Sequence, residues 1–540
     1  MPPIDILNYH QETKHHRHRM ARSPEYLDWQ TQPNPFRYYQ GTDHFYLPFL
    51  KKDPELLYQD LYTPIKAKAC PFDRISLAAF LELSLALSAW KATPTHRWSL
   101  RINPSSGNLH PTEAHLILPP TIIESAAVFH YSPFRHALEL RAVIPNSLWE
   151  KITAHFQSDG FLIALTSIFW REAWKYGERA FRYCQHDIGH ALGCLNFAAR
   201  INNWSLTCLS NLSDQEIQTL IGIDKIQWEP TDKEHPAVLC WIAPIKTTAP
   251  IHDIPPSIIK DFHLLSFAGE ANALSPSSVV WDAVEAAAQA SQKPRTETAT
   301  TVLKALPQSN LKELSISATK VIRNRRSAVN YDGTSKISAE QFFATIEKTL
   351  PYPNSALFNM LPNLNNINLL LFIFLVQDLA PGIYFFIRNE AHLPLLKSAT
   401  RPEYYWKKIH ADLPLYHMLE DDFRVKAIEA CCFQEIAGFS AFSLGMIAPL
   451  PKVVKTAPYR YRQLFWEAGI IGQVLYLGAE AQGLRGTGIG CYFDDEVHDL
   501  IGLKDNSFQS LYHFTIGYPI EDKSLTTLPA YHHLDRILKK

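Results

Sequence analysis

Apolar residues fall at helical spacing at Ile188, Leu192, Leu195 and Ala199, and again at Ile471, Leu475 and Ala479. Each stretch predicts a long core helix ahead of a glycine-containing break, with a second, shorter helix after it. In front of each long helix the pattern changes to alternating runs that predict strands. These are "EAHLIL" and "AVFHY" in the first half, and "LLLFIFLV", a turn "APG" and "IYFFI" in the second. Each half is therefore mixed helix and sheet.

The two halves also lie over one another residue by residue. Residues 181–224 superpose on 461–504 at a constant shift of 280, without a gap. Arg182 falls on Arg462, Gly189 on Gly469, Leu195 on Leu475, Ala199 on Ala479, Thr207 on Thr487, Asp214 on Asp494 and Glu216 on Glu496. Leu220, Ile221 and Gly222 fall on Leu500, Ile501 and Gly502. Shared glycines and a shared Asp-x-Glu are not demanded by helical spacing alone, so a tandem duplication is the expectation. Between the copies, residues 250–318 are rich in Ser, Thr, Pro and Ala, the composition of a connector with a little helix. The expected organisation is an N-terminal extension (1–60), a first domain (61–249), the connector (250–318) and a second domain (319–540).

Composition narrows the partner. At 540 residues the chain exceeds one hydrophobic core, and 52 basic against 53 acidic residues create no field for nucleic acid or anionic lipid. A small partner is expected. The eight cysteines contain no CxxC and no Cys/His spacing that closes around zinc, which points to reduced thiols in a cytoplasmic protein. The first twenty residues lack the apolar core of a secretory signal, and "LLLFIFLV" is far below the ~18 residues of a spanning helix. "KHHRHR" (14–19) sets three histidines among basic residues with no carboxylate or thiolate, so it is expected to be the solvated face of a helix and no metal site. Cys431 and Cys432 are expected in the core.

The candidate chemistry sits in five stretches. "NPSSGNLHPTE" (103–113) places Pro104, Ser105, Ser106, Gly107 and Asn108 directly in front of a strand, as a turn or as a cradle for a planar polar cofactor. "RRSAVNYDG" offers the guanidinium groups of Arg325 and Arg326 and the Ser327 hydroxyl to a phosphate, although an isolated stretch of this kind reads as a solvated basic turn. "GLRGTGIGCYFDDEVHDLIGL" carries Gly486, Thr487, Gly488, Ile489 and Gly490 after a helix, without the G-x-G-x-x-G of a dinucleotide fold. "KYGERAFRY" and "YHQETKHHRHRMARSPEYLDWQTQPNPFR" complete the set.

In this order the five stretches resemble the flavin-dependent nitroreductase superfamily, and more narrowly its SagB/ThcOx-type dehydrogenases. The resemblance implies an α+β fold of two tandem nitroreductase-like three-layer α/β/α domains, forming an intrachain pseudo-dimer. It also implies FMN. Arg325, Arg326 and Ser327 would hold the phosphate, and Pro104 to Asn108, which in that family comes from the partner subunit, would lie along the isoalloxazine. Backbone N–H groups of Gly486 to Gly490 would reach the ring. Val329 departs from the basic residue many relatives carry there. The second copy lacks the P-S-S-G-N pattern and the first lacks the glycine stretch, so one FMN per chain is expected.

By the same resemblance, Lys175 and Tyr176 serve removal of a proton while hydride leaves for the flavin; otherwise they are a surface lysine and a core tyrosine at a helix start. Arg179 and Arg182 are expected to anchor the helix. The expected function is hydride transfer between FMN and an organic, azoline or peptide-derived substrate, with other biosynthetic proteins as partners. The alternatives are an NAD(P)H-dependent nitro or quinone reductase and a non-catalytic flavin-binding scaffold in a complex.

Overall fold

The computed structural model describes residues 5–62, 68–245, 249–297, 314–352, 356–362 and 364–534. In the first copy β1 (His44–Tyr46), β2 (Thr112–Leu118), β3 (Ala127–Ser132), β4 (Ala137–Val143), β5 (Phe161–Ser167), β6 (Trp204–Cys208) and β7 (His235–Pro244) form one sheet. Its spatial order is β1-β4-β3-β2-β5-β7-β6, antiparallel throughout. The second copy repeats it with β8 (Asn368–Ile373), β9 (Gly382–Phe386), β10 (Lys407–Lys408), β11 (Leu415–Glu420), β12 (Phe442–Ala448), β13 (Arg485–Ile489) and β14 (Gln509–Gly517). In the order β10-β11-β9-β8-β12-β14-β13 six strands repeat the first copy's topology, and only the edge differs: β1 precedes the other strands in the chain, whereas β10 lies between β9 and β11. The strands expected from "EAHLIL", "AVFHY", "LLLFIFLV" and "IYFFI" are β2, β3, β8 and β9, and "APG" ends the turn between the last two, its Gly382 being the first residue of β9.

Alternation along the central strands shows why the domains need three layers. In β5, Phe161, Ile163 and Leu165 face a core shared by both copies, while Leu162 and Ala164 face a second core under the helices Asn146–Phe156, α3 (Asp214–Ile221) and Pro256–His263. β5 is buried along its whole length, its first five residues apolar, and the Thr166 hydroxyl near its end is satisfied by donating to Glu234 Oε2 at 2.8 Å.

The shared core is built on two long helices, α2 (Ala180–Ile201) and α4 (Arg460–Ala481). They cross where Gly189 meets Gly469. A Cβ on Gly189 would stand 2.3 Å from the Trp466 carbonyl oxygen, and one on Gly469 would stand 2.2 Å from that of His186. Both pairs are related by the 280-residue shift, so the internal repeat is a pseudo-two-fold axis through the crossing. The same axis relates two buried ion pairs. Arg182 meets Asp494 of α5 (Asp494–Ile501) at 2.9 Å, and Arg462 meets Asp214 at 2.9 Å. Each copy thus grips the other with equivalent residues, as two subunits do.

The termini strengthen the exchange. Thr526–Leu528 adds a strand to the hairpin Leu87–Ala92 and Arg97–Arg101 of the first copy. In return, "KHHRHR" docks on the second copy, against the expectation of a solvated helix. The first helix ends at Glu12, His15 bridges to Phe493, buried Lys14 pairs with Asp495 at 2.7 Å, and Arg17 pairs with Glu496 at 2.5 Å. The cationic run complements three acidic residues in the first turn of α5, which sequence spacing cannot bring together.

Candidate functional site

A cavity of about 590 Å³ opens between the two copies. Its wall contains Pro104, Ser105, Ser106, Gly107 and Asn108 from the first copy, Arg325, Arg326 and Ser327 from the segment entering the second, and Thr487, Gly488, Ile489 and Gly490 from β13 and its end. Tyr176 also faces it. Two expected residues stand back. Gly486 is beside the cavity, its carbonyl accepting from the Ala328 N–H at 3.1 Å. Lys175, half-buried near the end of α1 (Phe169–Tyr176), lies outside the lining, with its Nζ 5.2 Å from the Tyr176 ring centroid.

The 104–108 loop is folded by its own contacts. Gly107 has φ +58°, and a Cβ there would lie 2.6 Å from the Tyr176 Oη, so glycine answers both backbone and space. Asn108 donates its amide to the Ser99 carbonyl at 2.8 Å. Ser106 donates through N at 3.1 Å and through Oγ at 3.3 Å to Asp187 Oδ1, and Ser105 Oγ donates to Glu172 Oε1 at 3.4 Å. The serine hydroxyls and the asparagine amide therefore secure the loop as it lines the cavity.

Asp187, His190, Tyr476 and Tyr512 also line the cavity, and no motif announced them; Tyr183, the last residue of "KYGERAFRY", lines it too. Asp187 is buried on α2, with Oδ2 unpartnered among the described residues; Glu172 Oε2 is in the same position. Burial raises both carboxyls, and for Glu172 the charge of Asp187 adds to it. Helical periodicity marks Asp187 only as one more inward residue. Its meaning comes from the loop above it.

β13 is an edge strand, and its glycines make room for aromatic rings. A Cβ on Gly488 would lie 1.9 Å from Tyr512 Oη, and one on Gly490 would lie 2.3 Å from Tyr183 Cε1. Tyr183 Oη donates to the Gly490 carbonyl at 3.1 Å. Arg179 holds the same carbonyl and Asp494, as an anchoring residue should.

The cationic end of the cavity fits a phosphate. Arg325 is 4% exposed, has an unpartnered Nε, and makes no carboxylate ion pair among the described residues. Its Nη2 donates to the Arg101 carbonyl at 3.2 Å, and its guanidinium lies 5.1 Å from the Tyr476 ring centroid. Arg326, whose guanidinium donates to carbonyls of Arg323, Arg325 and Ser88, and Arg485 stand in the same wall. Burial lowers the pKa of Arg325, and Arg485 acts in the same direction, so a dianion there relieves an existing cost.

The pseudo-symmetric position is closed. Shifted by 280, Tyr476 and Gly488 become Asn196 and Cys208, and there Met360 meets both. Its carbonyl accepts from the Cys208 N–H at 2.8 Å, and its Sδ lies 3.6 Å from Asn196 Nδ2. Leu357, Phe358 and Leu361 are each 2% exposed beside it. The second copy's counterpart of the 104–108 loop still keeps its seat. Asn366 N and Ile367 N donate to Glu467, which the shift places on Asp187. Residues 353–355 and 363 of that stretch lie outside the described residues.

Residues 396–518 match the Nitroreductase family. Among solved structures, a protein of Anabaena variabilis assigned to the nitroreductases aligns over 95% of this chain and 99% of its own, with 21% identity and a TM-score of 0.68. One from Ralstonia eutropha, assigned likewise, covers 40% of this chain and 90% of its own at 15% identity and a TM-score of 0.29. The Escherichia coli microcin synthetase complex with a truncated propeptide covers 41% and 79%, at 17% identity and a TM-score of 0.28. A sequence search of curated proteins finds no match. No helix among the described residues is long and apolar enough to cross a membrane. With an architecture shared end to end with the first of these structures, and a family segment in its second half, the chain has a nitroreductase fold in two tandem copies that pair as an intrachain pseudo-dimer.

Proposed function

We propose that the chain is an FMN-dependent oxidoreductase of the SagB dehydrogenase type, taking hydride from a carbon–nitrogen single bond of an organic, azoline or peptide-derived substrate. The observation that carries this reading is the cavity between the copies, which collects the 104–108 loop, Arg325 to Ser327 and Thr487 to Gly490 around a buried guanidinium without a carboxylate partner. When bound, FMN supplies the two-electron acceptance. Arg325, with Arg326 and Arg485, would hold its phosphate, and the 104–108 loop and the end of β13, where the Gly488 N–H already donates to Tyr476 Oη at 3.1 Å, would flank its ring.

Tyr176 is the residue for contact with substrate, since its ring faces the cavity and packs on Gly107. Burial holds its phenol protonated, so it accepts a proton only as it passes its own onward. Lys175 beside it and the unpartnered Oδ2 of Asp187 are the groups available to receive that proton. Met360 and its neighbours close the equivalent position, which supports one flavin per chain.

The test has two parts. Flavin released from purified protein should be FMN at about one per chain; two per chain, or FAD, overturns the assignment. Lys175→Ala and Tyr176→Phe should keep fold and FMN while substrate oxidation falls by ~10² to 10⁴, the usual range for general acid–base help. Quinone reduction, which needs only access and electrons, should change little. Parent rates in both variants would remove Lys175 and Tyr176 from the mechanism, and FMN held tightly with neither activity would favour the scaffold.

A further inference from the structure

Two cysteines in the cavity wall have no part in that mechanism. Cys491 follows Gly490, and Cys432 precedes Phe433 in the other segment; their Sγ atoms lie 2.8 Å apart. Both are only partly buried and both line the cavity, so Cys432 is not the core residue the sequence suggests, whereas Cys431 is buried, with its Sγ 3.7 Å from His513 Nδ1. The two segments are clamped. Gln434 Nε2 donates to the carbonyls of Cys431 at 2.9 Å and Cys491 at 3.0 Å, and the Phe493 N–H donates to the Ala430 carbonyl at 2.7 Å. Cys432 and Phe433 sit at φ +54° and +59°, left-handed conformations that non-glycine residues adopt at a cost and that concentrate at functional sites.

The chain contains its own contrast. Cys208 and Cys240 face each other across β6 and β7 with Sγ atoms 3.5 Å apart, but both are wholly buried between sheet and helices. No reagent reaches that pair. The Cys432–Cys491 pair instead opens onto a cavity and has the electropositive surroundings that favour a thiolate. The Cys432 thiol hydrogen bond, His15 and the Arg179 guanidinium pull the Cys491 thiol down against the effect of burial.

We propose that Cys432 and Cys491 are a redox-active pair that cycles between dithiol and disulfide in the cavity wall, with small organic disulfides and the bound flavin as its electron acceptors. The exchange with small disulfides needs no flavin; only the coupling to the flavin rests on the function proposed above. In the first reaction the Cys491 thiolate attacks one sulfur of the organic disulfide and expels one thiolate. Cys432 then loses its proton and attacks Cys491 Sγ, expelling the second. The protein loses two electrons and two protons, and one organic disulfide becomes two thiols. In the second, the same two thiols close to a disulfide as the oxidised flavin takes up the two electrons and two protons.

The purified protein is equilibrated in mixtures of oxidised and reduced dithiothreitol, acid-quenched, alkylated and read by mass spectrometry. We expect Cys432 and Cys491 to lose alkylation together along a two-electron curve, with a peptide cross-linked between them, while Cys208 and Cys240 stay thiols. Full alkylation of Cys432 and Cys491 at every ratio, or a cross-link through other cysteines, overturns the pair, and this arm needs no variant to fold. For the coupling, FMN-loaded protein is mixed anaerobically from both directions, dithiol with oxidised flavin and disulfide with photoreduced flavin. We expect flavin absorbance and alkylation to move together in at least one direction, and neither to move in Cys432→Ser. FMN that binds but exchanges from neither side overturns the coupling. Failure to bind FMN overturns the functional reading instead, and leaves the dithiothreitol result to decide the pair.

Discussion

Arg325 is a buried guanidinium with an idle Nε and no carboxylate partner among the described residues, which is costly unless something anionic completes it. Arg325→Ala removes a charge-assisted contact worth ~1.5 to 3 kcal/mol, so FMN affinity should fall roughly ten- to a hundredfold in a fluorescence titration. Unchanged affinity would move the phosphate to another cation, such as Lys523. The arginine is legible only in company, because an R-R-S run alone reads as a solvated basic turn and points to a phosphate only beside the other four motifs. Asp187 was not, because a single carboxylate in a helical pattern acquires meaning only when Ser106 donates to it from 81 residues away. Gly488 and Gly490 stand out in the sequence for the backbone N–H groups of their stretch, and the structure adds a second use for their smallness, which is to admit the Tyr512 and Tyr183 rings.

At the scale of elements, the crossing of α2 and α4 and the ion pairs beside it join the two copies. Asp494 is the more heavily loaded acid. Burial raises it, but Arg179 and Arg182 together hold it well below the usual carboxylate range. Asp214 faces Arg462 alone among its ion-pair partners in the described residues. Breaking a buried pair from one side costs ~3 to 5 kcal/mol, since the remaining charge stays buried without its partner. Asp494→Asn should therefore lower the denaturant midpoint more than Asp214→Asn, because it strands two guanidinium groups instead of one. Equal, small losses would show that the arginines find other acceptors. The repeat named all four residues of the symmetric pairs by position. It could not say that each arginine reaches the other copy's aspartate, because an internal repeat is equally compatible with pairing inside each copy.

For the whole molecule, the first copy's sheet buries a network in which His130 lies between Glu113 at 3.1 Å and Glu139 at 2.9 Å, with Arg171 on Glu113. Burial lowers the His130 pKa, but the two carboxylates outweigh it and raise it to about 9. Its folded value lies above the unfolded 6.5, so its contribution to stability is fully present below pH 6.5 and is lost as pH rises through 9. Glu113 is the opposite case. Burial raises it, Arg171 and His130 pull it down to about 2, and its contribution is present above pH 4.5 and lost as pH falls through 2. The network is thus fully effective between pH 4.5 and 6.5. Thermal unfolding followed across pH should show Tm declining from 6.5 to 9, with a shallower decline in His130→Gln. The same slope in parent and variant would assign the decline to other groups.

The sequence by itself determined the strands on either side of "APG", the two long helices and the duplication, and it named the 104–108 loop and the Arg325–Ser327 run that the fold brings to one cavity. Local periodicity and unusual short motifs survive without knowledge of neighbours. Tertiary structure alone decided that "KHHRHR" is a docking arm, that Met360 closes the second pseudo-site, that Lys175 stands outside the cavity while Tyr176 faces it, and that Cys432 meets Cys491. Each of these depends on contacts between residues far apart in the chain, set by how two symmetric cores pack around one axis, and pairwise proximity of that kind leaves no trace in the period of a single sequence.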